Sequence, residues 1–147
     1  AMAEAAVRVS GRFRIHRKTP VTLEARGLLA DYDRRSRTLT LHSTTQIPGI
    51  MRDALAAIFD MPGSRVRVIS ADVGGGFGAK ATLYPEDICL GALALLLGRP
   101  VKWFSDRQED FLSTTQAFDE TIDAELALDA EGNILALKAD ALGDVGA

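Results

Sequence analysis

Along residues 7–15 apolar Val7, Val9, Phe13 and Ile15 alternate with Arg8, Arg12 and Arg14. A period of two predicts a half-exposed strand, with Gly11 as a candidate bulge. Two further alternating stretches, Leu28 to Tyr32 and Thr38 to Leu41, flank Asp33-Arg34-Arg35-Ser36 and predict a hairpin. The period then changes. Ile47, Ile50, Met51, Ala54, Leu55, Ile58 and Phe59 recur at helical spacing, with Pro48 in the first turn and Met61-Pro62-Gly63 as the stop. Arg65 to Ser70 predicts a short strand.

A second helix is expected from Pro85 to Gly98, with Glu86 and Asp87 at its positive end and Pro100 beyond its close. Its apolar residues run almost all round, so it is expected to be deeply buried. Val101 to Phe104 predicts another strand. Ser105-x-x-Gln108 has the capping-box pattern and predicts a short helix. Thr121 to Leu128 and Ile134 to Val145 predict a second hairpin across Asp129-Ala130-Glu131-Gly132-Asn133. The order β-β-β-α-β-α-β-α-β-β predicts an α+β domain with two layers, the helices on one face of a mixed or mostly antiparallel sheet.

Composition narrows the class. The chain has 147 residues, 47% hydrophobic and 25% charged, enough for one globular domain with a core. The longest nearly apolar run, Ile88 to Leu97, is about half of what a membrane span needs. Ala1-Met2-Ala3 lacks the basic start of a signal peptide. One cysteine, Cys89, excludes an internal disulfide and fits a reducing, cytoplasmic compartment. It lies in an apolar segment and is expected to be a small buried residue.

Charge is uneven: residues 1–40 carry nine Lys/Arg against four Asp/Glu, and residues 101–147 carry three against eleven. The two ends are expected to attract each other or to meet charged partners. The net charge of −3 argues against nucleic acid as a partner. Ile134 to Val145 reads as a strand heading into a new segment, so the chain is expected to be a piece of a longer polypeptide.

Chemistry concentrates in Asp72-Val73-Gly74-Gly75-Gly76-Phe77-Gly78-Ala79-Lys80, directly after a strand. Glycine admits positive φ and lets backbone N–H groups approach a ligand. A plain tight turn accounts for it equally. A Walker phosphate loop fails, because Ala79 precedes the lysine and Ala81 follows it. Gly74-x-Gly76-x-x-Ala79 fits the dinucleotide pattern, but the next helix start is Pro85 and the residues some twenty positions on are leucines. His16, on the exposed face of a strand, and His42, just after one, read as solvated or structural. No His/Cys/Asp cluster has metal-ligand spacing. The acid-rich stretch Asp119 to Glu131 reads as a solvated strand face. Ser43-Thr44-Thr45-Gln46 precedes the first helix, where it serves as a cap or presents polar groups to a ligand. A nucleotide-binding enzyme and a non-enzymatic assembly module with basic and acidic ends both remain open on these grounds.

Taken in order, Ser43 to Gln46, the Asp72–Lys80 loop, Gly98-Arg99-Pro100-Val101-Lys102-Trp103 and Asp106-Arg107-x-Glu109-Asp110 resemble the molybdenum hydroxylase family. That family includes xanthine dehydrogenase, aldehyde oxidase and the large subunit of molybdenum carbon monoxide dehydrogenase. The resemblance runs from about Arg12 to Ala147, and it implies that residues 1–147 are the first part of a molybdopterin-binding region. It implies that Gln46 hydrogen-bonds an oxo ligand of the molybdenum. It also implies that Gly75, Gly76, Phe77 and Gly78 lie against the pterin cofactor, of which the cytosine dinucleotide is one form. An amide supplies a neutral donor, and a bulky phosphate-bearing cofactor wants bare backbone. The metal is then held by the pterin dithiolene, so no protein metal ligand is expected.

The implied reaction is hydroxylation of an aldehyde-like small molecule or oxidation of carbon monoxide, with electrons leaving through iron–sulfur and FAD partners. Purine-oxidising members carry a glutamate after Gly-Lys and an arginine downstream. Ala81 and Thr115-Gln116-Ala117 stand there instead, which argues against a purine, and Lys80-Ala81-Thr82-Leu83-Tyr84-Pro85 resembles the carbon monoxide dehydrogenase branch more closely. The general base is expected to lie outside this chain, which alone is expected to be inactive.

Overall fold

The computed structural model describes residues 1–145; Gly146 and Ala147, which the expected domain includes, lie outside the described residues. Among the described residues the strands number seven and the α-helices three: β1 (Val7–Ile15), β2 (Gly27–Asp33), β3 (Thr38–Ser43), α1 (Pro48–Ile58), β4 (Val66–Ile69), α2 (Pro85–Leu97), β5 (Val101–Phe104), α3 (Arg107–Ser113), β6 (Asp119–Leu128) and β7 (Ile134–Asp144). Their order is the one the periodicity predicts, and short 3₁₀ turns at Met2–Glu4 and Gly63–Arg65 add to it. The α+β class holds, but the strands divide between two sheets in two compact units.

The larger unit spans Pro20–Thr114. Its sheet has the order β4-β3-β2-β5, antiparallel except for the parallel pair β3/β4. The parallel pair follows from α1, which carries the chain back between those two strands. Leu28, Ala30, Leu39 and Leu41 point to one face and are buried with Met51 and Leu55 of α1 and Leu90 and Ala94 of α2. Each buried leucine contributes roughly 1.5–3 kcal/mol. The other face carries the alternate residues, among them Leu29, His42 and Lys102 in one row across β3, β2 and β5.

Three expectations within this unit are corrected. The second helix is buried along one stripe only, Asp87, Leu90, Gly91 and Ala94; Leu93, Leu96 and Leu97 are exposed, Leu96 at 76%. Cys89 is likewise exposed rather than buried. A helix lying on a sheet shows it one face, so an all-round apolar pattern cannot be buried all round there. The cap of α3 is Asp106, whose Oδ1 accepts the Glu109 N–H at 2.8 Å. Ser105, the expected cap, is instead buried and donates to the Arg26 carbonyl at 3.1 Å.

The smaller unit comprises Ala1–Thr19 and the chain from Thr115 onward. It is an antiparallel sheet, β1-β6-β7. The β1/β6 register is unbroken, so Gly11 makes no bulge; the irregularity falls between Ala127 and Leu128, against β7. The hairpin turn is built on Asp129, which accepts from the Glu131 and Asn133 backbone N–H groups. The two oppositely charged ends of the chain do meet: Arg12 makes a paired contact with its cross-strand neighbour Asp123, both at 2.7 Å, and Arg14 reaches Asp119 at 2.9 Å. Asp119 and Asp123 of this stretch are therefore paired, and Arg14 and Arg12 hold them below the usual carboxylate range. Val7, Val9, Phe13 and Ile15 are exposed, and among the described residues of this unit no helix lies over them. His16 follows β1 instead of lying on it, and His42 lies within β3.

Candidate functional site

The glycine loop leaves β4 at the edge of the larger unit. Gly75 and Gly78 have φ of +97° and +90°, which only glycine adopts freely. Phe77 between them is also left-handed, at φ +50°, and the residue is 79% exposed. A bulky residue in that region and in solvent is costly, and such positions cluster at ligand sites. The backbone turns on itself, with Ala79 N–H donating to the Gly76 carbonyl at 2.9 Å and Ala81 N–H to Gly78 at 3.1 Å. No helix opens at this turn; the next one is α2, at Pro85. A dinucleotide fingerprint needs a helix at that point, so this geometry does not support one.

Gln46 reaches the loop from the segment between β3 and α1. Its Oε1 accepts the backbone N–H groups of Gly78 and Lys80, each at 3.2 Å. N–H donors bond only the oxygen of an amide, so the two bonds fix which way the side chain faces. Its Nε2 finds no hydrogen-bond partner among the described residues, and Gln46 is exposed. The free amide nitrogen is a neutral donor held ready for an acceptor. Gly76 packs against this side chain: a Cβ there would run into the Gln46 amide. The structure thus brings together Gln46, Gly76, Phe77 and Gly78, with Gly75 over Thr22. Ser43, Thr44 and Thr45 are not side-chain caps of α1, whose N-cap is Ile47. Thr45 instead accepts the Ile47 N–H at 3.2 Å, and its carbonyl receives the Ser70 hydroxyl at 2.7 Å.

Two charged residues that the sequence reading passed over hold this site from beneath. Glu24 Oε2 accepts the Gly74 N–H at 2.8 Å and the Lys80 ammonium at 3.0 Å. Burial pushes its carboxyl up, but the Gly74 N–H and Lys80 outweigh that and leave it below the ordinary value. Arg26, 5% exposed, stacks on the Tyr84 ring at 3.7 Å and faces Glu86 with both terminal nitrogens at 3.4 Å. Its Nε reaches Thr114 at 3.2 Å, and Asp110 lies 3.8 Å away. It ties β2 to the start of α2 and the end of α3. Tyr84 in turn donates to the Ala79 carbonyl at 2.5 Å.

Beside the loop, on the sheet face away from α1 and α2, lies a cleft of about 360 Å³. Ser43, Thr44, Asp72, Val73, His42 and Lys102 line it. Its size suits part of a small ligand. Among the described residues no three His, Cys, Asp or Glu side chains converge on a metal position, and no helix is long and apolar enough to cross a membrane. Bare backbone at Gly75–Gly78, an exposed ring and an outward amide donor fit a large cofactor that brings its own metal ligands.

A family model described as the molybdopterin cofactor-binding domain matches residues 1–147. The carbon monoxide dehydrogenase large chain of Hydrogenophaga pseudoflava is 39% identical over 145 residues, 99% of this chain and 18% of that one. The nicotine 6-hydroxylase large subunit of Paenarthrobacter nicotinovorans is 37% identical over 139 residues, 95% of this chain and 17% of that one. Among solved structures, quinoline 2-oxidoreductase from Pseudomonas putida 86 superposes with a TM-score of 0.85 at 38% identity, covering 95% of this chain and 18% of that one. The chain therefore spans under a fifth of the relatives it matches.

Proposed function

The chain belongs to the molybdopterin cofactor-binding family, and from that premise we propose that it forms the loop side of the cofactor site in a molybdenum hydroxylase large subunit. The observation that carries this is the exposed Gln46 amide, whose oxygen is held by Gly78 and Lys80 and whose nitrogen takes no part in those bonds. When bound, the molybdenum cofactor supplies the redox centre that takes two electrons from substrate. Gln46 gives that centre an uncharged N–H donor. Gly75, Gly76 and Gly78 would leave room for it, and the exposed Phe77 would offer it an aromatic face. Gln46 therefore both touches the cofactor and shapes the loop that holds it.

Carbon monoxide or an aldehyde-like small molecule is the substrate class that this reading favours, because Ala81 and Thr115-Gln116-Ala117 lack the charged groups a purine would engage. The relatives' names, "large chain" and "large subunit", support assembly with smaller subunits. We assign iron–sulfur and flavin centres to those partners, the cytosine dinucleotide to the cofactor's form and the cytoplasm to the complex. The test is molybdenum per polypeptide in the full-length parent protein, co-produced with its neighbours in a host that loads other molybdoenzymes. A ratio near one, which falls in Gln46→Ala, is expected. A ratio near zero would remove the cofactor reading.

A further inference from the structure

Gln46 braces the far part of the glycine loop through Gly78 and Lys80. A separate contact closes the loop at its root. Glu24 Oε2 accepts from Gly74 N at 2.8 Å and from Lys80 Nζ at 3.0 Å, so one carboxylate oxygen joins the first glycine of the loop to the lysine that ends it. The Glu24 N–H donates back to the Gly74 carbonyl at 3.2 Å. The Lys80 side chain is 2% exposed and the Glu24 side chain 35%, so the ammonium is buried beneath its counter-charge. A Cβ on Gly74 would come within 2.5 Å of the Glu24 Cβ, so this approach needs glycine as well.

We propose that Glu24 is a positioning residue for the cofactor: by tying Gly74 to Lys80 it pinches the loop at its base and thrusts Gly75–Gly78 and the Phe77 ring outward. The arrangement calls for these residue types. A buried ammonium needs an anion, because leaving it alone in a low-dielectric setting is costly. Of the short acceptors, a carboxylate can take a backbone N–H and an ammonium on one oxygen at once. Lys80 also links the two braces, since its backbone N–H and carbonyl both bond Gln46 while its side chain bonds Glu24. Losing Glu24 would therefore loosen the loop from the root up to the residue that holds Gln46 in place. The proposal rests on the loop being the cofactor's, and its test reads the loop and the cofactor separately.

The experiment uses the full-length parent with its partner subunits and compares Glu24→Gln with the double variant Glu24→Gln/Lys80→Met. The single change keeps an acceptor for Gly74 but leaves the buried ammonium without an anion. The double change removes both charges and keeps that acceptor, so it stands in if the single variant fails to fold. Amide hydrogen exchange across residues 72–82 reports the loop, and molybdenum per polypeptide after prolonged dialysis reports cofactor retention. In Glu24→Gln, loop exchange is expected to speed up about tenfold, as for loss of one charged contact. Bound molybdenum is expected to fall with it, and both losses are expected to persist in the double variant, which strands no charge but still lacks the tie from residue 74 to residue 80; recovery of both to parent level there would overturn the proposal. Exchange and molybdenum both at parent level in Glu24→Gln would overturn it as well. So would faster exchange with molybdenum fully retained, which would make the pair a structural tie only. A parent that folds with no molybdenum would sink the cofactor reading itself, a failure told apart by the parent's own metal ratio.

Discussion

Gln46 and Lys80 hold each other at both ends: the Gln46 backbone N–H donates to the Lys80 carbonyl at 2.9 Å, and the Lys80 N–H donates to Gln46 Oε1 at 3.2 Å. One residue is thus read by its neighbour through both backbone and side chain, and this separates the two jobs of the amide. Gln46→Glu keeps an oxygen for Gly78 and Lys80 but loses the outward donor. Gln46→Ala loses both. Removing a single preorganised donor costs about 10²-fold in rate in comparable sites. Gln46→Glu is therefore expected to keep the loop's hydrogen-exchange protection while losing about 10²-fold in substrate oxidation by the full-length enzyme. Gln46→Ala is expected to lose loop protection as well, with a cost of about 1 kcal/mol for the orphaned N–H groups. Equal loop exchange in the two variants would show that the amide does not brace the loop.

Gly76 makes a second test, because its requirement is space and not backbone freedom. Its φ lies outside the left-handed range, yet a Cβ would occupy the volume of the Gln46 side chain. Gln46 cannot step aside without releasing Gly78 and Lys80. Gly76→Ala is expected to cost about 1–3 kcal/mol, the range for overpacking, and to lower molybdenum content in step. Gly78→Ala meets no atom within 4 Å but forces an alanine to φ +90°, so its cost comes from the backbone alone, again about 1–3 kcal/mol. Adding Gln46→Ala to Gly76→Ala relieves the first clash, whereas adding it to Gly78→Ala leaves the second strain untouched. Unfolding midpoints of the four variants decide the matter, and a Gly76→Ala cost that survives Gln46→Ala would refute the steric account.

Much of this was legible in the chain. Local signals carried the element order, because period two at Val7–Ile15, period 3.6 at Ile47–Phe59 and Gly98 after α2 each act within a few residues. The loop and Gln46 were legible as motifs in a family order. What local signals do not encode is pairing at a distance. Nothing near Gly11 or Thr121 says that β1 and β6 leave the main sheet to form their own, since that choice depends on cross-strand partners over a hundred residues apart in sequence. Glu24 and Lys80 are likewise joined only by the fold. Arg26, at the entrance to β2, lies off any periodic face, and its burial is decided by Glu86, Asp110 and Tyr84. Two charged residues, Glu24 and Arg26, on the approach to an apolar strand were the available hint.

Arg26 also yields a stability test. The planar guanidinium meets Glu86 with two nitrogens, Thr114 with a third and the Tyr84 ring with its face. Lysine offers one point charge and no such fork. Arg26→Lys is expected to weaken the anchoring of α2 and α3, and Arg26→Met to cost about 3 kcal/mol by stranding Asp110 and Glu86. Arg107 remains as a partner for Asp110 at 3.1 Å, which keeps the loss at the low end of the range for broken buried pairs. Hydrogen exchange of residues 85–97 and 107–113 is the readout. Unchanged protection in Arg26→Met would mean that apolar packing alone seats both helices.

Asp87 and Glu24 predict opposite responses to acid. Burial pushes the Asp87 carboxyl up, and the Tyr84 N–H at 2.9 Å and the Arg26 charge only partly offset it. The folded state therefore binds the Asp87 proton more tightly than the unfolded chain does. Its contribution to stability grows as pH falls through the raised folded value and is lost as pH rises above it. Glu24 is the reverse: its folded value is depressed, so its contribution is present above the ordinary glutamate range and disappears as pH falls through the folded value. Asp87→Asn keeps an oxygen for the Tyr84 N–H while removing the buried charge. It is expected to be at least as stable as the parent near pH 7 and to lose that advantage as pH falls through the raised folded value and the parent's carboxyl takes up its proton. Glu24→Gln is expected to be less stable near neutrality and to approach the parent only in acid. Unfolding midpoints taken across that range check both signs, and parallel curves for Asp87→Asn and the parent would show that Asp87 is not titrating in the fold.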